Sequence, residues 1–267
     1  MHRRQFLFRE GPTTVLGLGA ALGVSSFSRA QGSNATGPSY FECFFLRVQS
    51  GSQVSRMLGW LEKRALPVFL KYGFAPAGFF TVEVGPTMPA VFGFVPAPSL
   101  AELEVNWKKV DADPEYATAL AELEKDEPTF YREDSMLLRA TPFSPPLKAA
   151  AAGDPAHKIF ELRIYEAPTH RQLGLLHDRF AGGEIEIFHK SGIHPVLYAD
   201  TVVGPNQPNM IYLIPFESEA QREKAWATFR ADPDWQRIRA ESVRRGGEIV
   251  RNITNMILTP ASFSMIR

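Results

Sequence analysis

Cysteine is almost missing from this chain: Cys43 stands alone in 267 residues. No intrachain disulfide can form, and cysteine-based zinc or iron–sulfur sites are excluded. Net charge is missing as well, with 29 basic residues against 29 acidic ones. Such a chain has no global field to gather nucleic acid or an anionic membrane. No Gly-x-Ser-x-Gly element or phosphate-binding loop is present. Gly17-Leu18-Gly19-Ala20-Ala21-Leu22-Gly23 misses the spacing of a dinucleotide fingerprint. The histidines are His2, His157, His170, His177, His189 and His194, and none forms the i, i+4 pair of a zinc helix. The sequence therefore gives no metal site and calls for no cofactor. What remains is soluble globular material, 45% apolar and 22% charged, with twenty phenylalanines for a core.

The first thirty residues read as an address. Arg3-Arg4-Gln5-Phe6-Leu7 resembles a twin-arginine signal, and an uncharged stretch runs from Thr13 to Phe27. Ser28-Arg29-Ala30 puts small residues at the −3 and −1 positions of a cleavage site after Ala30. The stretch is short and rich in Gly and Ala, so no stable membrane span is expected once the signal is removed. This predicts an exported, periplasmic bacterial protein. The competing address is a mitochondrial presequence. Glu10, and arginines that do not spread along an amphipathic helix, weigh against it.

The strongest signal is an internal repeat. A shift of 119 positions lays the chain on itself without a gap from Phe41 to about Tyr116. Phe69-x-Lys71-x-Gly73 falls on Phe188-x-Lys190-x-Gly192, and Val84-Gly85-Pro86-x-x-Pro89 on Val203-Gly204-Pro205-x-x-Pro208. Trp107 falls on Trp226, and Ala112-Asp113-Pro114 on Ala231-Asp232-Pro233. The two matched tryptophans are read as core residues. The predicted layout is a module over 40–144, a linker over 145–156 and a second module over 157–267.

Each copy predicts the same elements. Alternating residues give a strand at Phe41 to Val48 and again at Phe160 to Tyr165. A long helical pattern follows and stops at Gly73 or Gly192. Two strands come next, near 77–84 and 90–95, then 196–203 and 209–214. Ser99-x-x-Glu102 and Ser218-x-x-Gln221 cap a further helix. Asp113-Pro114 and Asp232-Pro233 start another, and final strands lie near 135–141 and 253–259. The predicted fold class is α+β: two tandem ferredoxin-like βαββαβ modules with their sheets packed face to face as a barrel-like pair.

Phe160-Glu161-Leu162-Arg163-Ile164-Tyr165 is similar to the opening strand of the NIPSNAP family. The Gly204-Pro205-Asn206 turn, the Trp226 helix, Asp232-Pro233-x-Trp235 and the closing strand also resemble that family. Copy one matches mainly through the repeat, with Glu42 but with Phe44 and Leu46 where the family has Arg and Tyr. The resemblance implies a dimeric α+β-barrel type of fold. It brings no catalytic residues to carry over.

Alternation along the first strands splits them into faces. Phe41, Cys43 and Phe45, like Phe160, Leu162 and Ile164, form an apolar face expected to pack on the helices. The other face carries Glu42, Phe44 and Leu46 in one copy and Glu161, Arg163 and Tyr165 in the other. It is expected to look into the space between the sheets. Tyr198, sharing a face with Asp200, and Tyr212 join from the next strands. Glu42, Glu161, Arg163, Tyr165, Tyr198 and Tyr212 are thus the candidate ligand-binding residues, with Glu161 the candidate acid or base. The plainer alternative is a Glu–Arg pair that fixes strand register or seals the contact between copies. Arg237, Arg239, Arg244 and Arg245 read as a solvated helix face balanced by Glu241 and Glu248 rather than an anion site. Three functions stay open. One is binding of a small molecule or a protein partner around the inter-sheet cavity. The second is a cofactor-independent oxygenase or isomerase using Glu161 or a nearby His. The third is a structural interaction module, including assembly into a homo-oligomer.

Overall fold

The computed structural model describes residues 39–125, 127–151 and 158–267. The predicted signal, with Arg3, Arg4 and the cleavage position after Ala30, lies outside the described residues, as does the 152–156 part of the 145–156 linker.

The first half runs β1 (Tyr40–Arg47), α1 (Gly51–Trp60), a π-helical turn (Leu61–Ala65), α2 (Leu66–Lys71), β2 (Gly78–Val84), β3 (Ala90–Ala97), α3 (Leu100–Asp111), α4 (Pro114–Glu124) and β4 (Arg132–Ala140). The second half repeats it: β5 (Ile159–Glu166), α5 (His170–Arg179), a π-helical turn (Phe180–Glu184), α6 (Ile185–Lys190), β6 (Leu197–Val203), β7 (Asn209–Phe216), α7 (Glu219–Ala231), α8 (Pro233–Gly246) and β8 (Asn252–Pro260). The local chemistry is that of the sequence. Ser99 and Ser218 accept from the backbone N–H of Glu102 and Gln221. Asp113 and Asp232 cap α4 and α8. Gly73 and Gly192 end their helices at φ 88° and 82°, a region that glycine enters without steric cost. The long helix of each copy differs from expectation: a π-helical turn interrupts it. Such turns often mark functional positions.

All eight strands form one closed antiparallel barrel in the order β1-β3-β2-β8-β5-β7-β6-β4. Each half contributes four neighbouring strands. The halves do not stack as two separate sheets, as the sequence suggested. Their edges bond to each other, β2 to β8 and β4 to β6. Both seams carry a bulge at the same repeat position, between Val82 and Val84 and between Thr201 and Val203. Closure removes every edge strand, the feature that otherwise invites aggregation.

The barrel interior overturns the expected assignment of faces. Phe41, Cys43, Phe45, Phe160, Leu162 and Ile164 point inward. There they meet Phe80, Phe92, Phe94, Leu213, Met256 and Leu258. Phe80 and Phe160, from different halves, meet edge to face at 5.1 Å. The interior of an eight-stranded barrel is narrow enough for side chains to fill, and here the uniformly apolar face turns inward and fills it. The mixed face, with Glu42, Glu161, Arg163 and Tyr165, turns outward beneath the helices, where helical side chains supply polar partners. Leu147, in the described part of the linker, also packs into the inner cluster. The Ala150 N–H donates to the carbonyl of Met265 at 2.8 Å. Two further apolar layers lie outside the barrel, one under the helices of each half. Among the described residues no helix is long and apolar enough to cross a membrane.

Candidate functional site

Glu42 and Glu161 occupy the same repeat position, and each binds the matched tryptophan. Trp107 donates its indole N–H to Glu42 at 2.5 Å, and Trp226 donates to Glu161 at 2.7 Å. This bond ties the first strand of each half to the helix above it. Beyond it the halves diverge. Phe44, Leu46, Ala65 and Leu103 form part of the first half's apolar layer. The second half has Arg163, Tyr165, Glu184 and Arg222 at those positions.

Glu161 is fully buried. Besides the indole, it accepts from Arg163 Nη1 at 2.8 Å, Arg222 Nε at 2.8 Å and Arg222 Nη2 at 3.2 Å. Four donors fill the roughly four lone-pair positions of a carboxylate. Glu161 is thereby a structural anchor, and no lone pair remains for a ligand's proton. Arg163 also donates through Nη2 to the Tyr165 hydroxyl at 3.3 Å. Its guanidinium lies 4.3 Å from the centre of the Trp226 ring and 5.4 Å from that of Tyr165. Burial opposes its charge, but Tyr212, Tyr165 and Glu161 outweigh burial and hold Arg163 firmly protonated. Its Nε is buried and has no hydrogen-bond partner among the described residues.

A second polar group lies in the same layer. Glu184 ends the π-helical turn, is buried, and takes one hydrogen bond from Arg179 Nε at 2.7 Å. Burial pushes its carboxyl above the ordinary range, against the pull of Arg179 and Arg163. Among the described residues its Oε1 and the Tyr198 hydroxyl are buried without hydrogen-bond partners. The rings of Tyr198 and Tyr212 stand 5.7 Å apart, and each packs edge-on to Phe180. Both phenols are pushed upward, chiefly by burial, with Glu184 adding to the shift. Ala65, Phe79 and Gly93 stand at the matching first-half positions. Glu184 is therefore better placed than Glu161 for acid–base work.

Arg163 and Tyr165 also line a cleft of about 450 Å³, whose other walls are Trp226, Phe229 and Arg230 of α7 and Trp235, Gln236 and Arg239 of α8. That volume lies within the usual range of small-molecule sites. Arg179 stacks over Trp235 at 5.0 Å, so one wall of the cleft rests on the partner of Glu184.

The structure thus gathers Glu161, Arg163, Tyr165, Tyr198 and Tyr212 into one layer but leaves Glu42 in the other half. Asp200 is bonded to His177 at 2.8 Å. His189 and His194 stack at 5.0 Å. Among the described residues no group of three or more potential ligands could hold a metal ion. Arg237 and Arg245 pair with Asp234 and Asp178 rather than with Glu241 and Glu248. Sequence reading missed Arg179, Glu184, Arg222, Arg230 and Trp235. The 119-residue shift carries the signal for them, since it sets them against Trp60, Ala65, Leu103, Asp111 and Tyr116.

The sequence model of the NIPSNAP family matches residues 51–145 and, separately, residues 160–265. The chain belongs to the NIPSNAP family. Among solved structures, this NIPSNAP protein is similar to an anthrone oxidase-like protein. The identity is 13% and the TM-score 0.53, over 84% of this chain and 92% of that one. It is also similar to a candidate monooxygenase from Lactobacillus acidophilus, at 10% identity and TM-score 0.52, over 84% and 94% of the two chains. At these identities the likeness shows a shared fold, the α+β barrel. An uncharacterized NIPSNAP-like domain protein from Burkholderia xenovorans is 28% identical over 41% of this chain and 90% of its own, with a TM-score of 0.36. No curated protein matches this NIPSNAP chain significantly.

Proposed function

We propose that this NIPSNAP protein binds a small molecule in the cleft over β5, with the second half as binding half and the first as scaffold. The observation that carries this reading is the cleft itself, floored by Arg163 and Tyr165. On the outward face of the first strands the two halves share Glu42 and Glu161, and they differ where Phe44 and Leu46 stand opposite Arg163 and Tyr165. The site belongs to the outer layer of the second half, since the barrel interior is filled with apolar side chains. In this reading the chain is two ferredoxin-like modules, 40–144 and 157–267. The order β4-β1-β3-β2, repeated as β8-β5-β7-β6, supports that division. The Arg3-Arg4 motif and the small residues before Gln31 support export to the periplasm.

A second reading, turnover of the bound molecule without a cofactor, draws on Glu184. Burial raises its carboxyl above the ordinary range beside two phenols that burial also raises, the kind of perturbed group that acid–base chemistry uses. Native mass spectrometry of the purified protein tests the first reading. A bound small molecule is expected in the wild type and is lost on Trp235→Ala with the fold intact by circular dichroism. A ligand-free wild type whose melting temperature is moved by no member of a diverse metabolite panel overturns it.

A further inference from the structure

Among the described residues three guanidinium groups and no carboxylate line the cleft, together with four aromatic side chains: Tyr165, Trp226, Phe229 and Trp235. The arginines are not equally committed. Arg163 is engaged by Glu161 and Tyr165. Among the described residues Arg230 and Arg239 make no ion pair, although Arg237 and Arg245 on the same stretch of chain do. The repeat underlines the contrast. The positions of Arg163, Arg230 and Arg239 are held in the first half by Phe44, Asp111 and Leu120. At these matched positions only the second half carries arginines, and they coincide with the cleft.

Guanidinium groups bind carboxylates through paired N–H donors, and both guanidinium and indole faces accept a planar π system. We infer that the cleft takes a planar aromatic carboxylate, its anionic end at Arg230 and Arg239 and its ring among Trp226, Phe229 and Trp235. This rests on the proposed small-molecule reading and adds the ligand's chemistry. Arg163, already committed to Glu161, closes the floor and presents a cation to the ring's π face.

The test uses the intact protein and three probes: 2-naphthoate, the neutral 2-naphthalenemethanol and inorganic phosphate. Calorimetry and tryptophan fluorescence are run on wild type, on Trp235→Leu and on the double variant Arg230→Gln/Arg239→Gln. Arg230 and Arg239 are exposed, so the double variant is expected to fold. Saturable naphthoate binding to wild type is expected. It should weaken at least about tenfold in the double variant, as charge-assisted hydrogen bonds are lost, and should be lost in Trp235→Leu. The alcohol should bind at least about tenfold more weakly than naphthoate on the same grounds. Equal binding of alcohol and acid, or full affinity in the double variant, leaves the cleft as a binding site and overturns the anionic class. Phosphate competing as well as naphthoate overturns the aromatic part. No saturable binding by either naphthyl probe overturns the ligand class, while a mass still lost on Trp235→Ala keeps the cleft reading alive.

Discussion

Trp226 hands its indole N–H to Glu161 at 2.7 Å, and the same bond, from Trp107 to Glu42, recurs in the first half. The pair is part of the fold. What the second half adds is a cage of two guanidinium groups around the same carboxylate.

Removing the charge of Glu161 should therefore cost stability before it costs anything else. Glu161→Gln leaves Arg163 and Arg222 facing a neutral amide in a buried layer. It is expected to lower unfolding free energy by about 3–5 kcal/mol. Glu42→Gln weakens the matched strand-to-helix tie and is expected to cost about 1–2 kcal/mol. Urea denaturation of the two variants checks the order. An Glu161→Gln protein as stable as wild type removes the anchor role.

The seams between halves predict one cooperative unit. β2 pairs with β8 and β4 with β6, and Phe80 packs on Phe160 across the interior. Hydrogen exchange with mass spectrometry should show β1 and β5 losing protection at the same denaturant concentration. Phe80→Ala should lower both together, by about 3–5 kcal/mol. Separate midpoints for the two halves would mean that the seams do not couple them.

Asp113 sets an acid limit. Its carboxylate accepts from Lys71, Tyr72 and the N–H groups of Glu115 and Tyr116. The Lys71 hydrogen bond leads in holding it down at about 2, from an ordinary 3.8. A folded-state value below the unfolded one contributes stability above the unfolded value, lost as pH falls through the folded one. Wild type should lose stability relative to Asp113→Asn between about pH 4 and pH 2, seen in melting temperatures measured across that window.

Glu184 has the opposite sign. Burial raises its carboxyl above 4.5 despite Arg179. Its contribution is fully present below the unfolded value and is lost as pH rises through the folded one. Wild type should therefore fall behind Glu184→Gln as pH climbs from the ordinary carboxylate range. A stability difference that does not change with pH would show Glu184 to be an ordinary carboxylate.

Most of the fold was legible from residues that set backbone geometry. Gly73, Gly192, Ser99, Ser218, Asp113 and Asp232 fix helix ends by local rules that need no tertiary knowledge. Which strand face lies inside was misread, because alternation tells two faces apart and does not say which one closes on itself. Phe41 and Phe160 fit either side equally well in sequence; only barrel closure, set by pairing between distant edges, decides. That Glu161, Arg163, Tyr165, Tyr198 and Tyr212 share one layer is legible because the strand period puts them on one face. The places of Glu184 and Trp235 are not, since they reach that layer from a π-helical turn and from a helix far along the chain.

The covalent joining of two halves into one barrel has a consequence for symmetry. A barrel closed by two identical chains repeats every substitution, so a charge placed in one outer layer appears in the other and must be tolerated twice. Here the seams are formed between segments of one chain, and each position is free to change once. Arg163 stands where its twin position keeps Phe44, and Glu184 where it keeps Ala65. An asymmetric barrel can leave one outer layer mostly apolar beneath its strand face while the other takes on Glu161, Arg163 and Glu184.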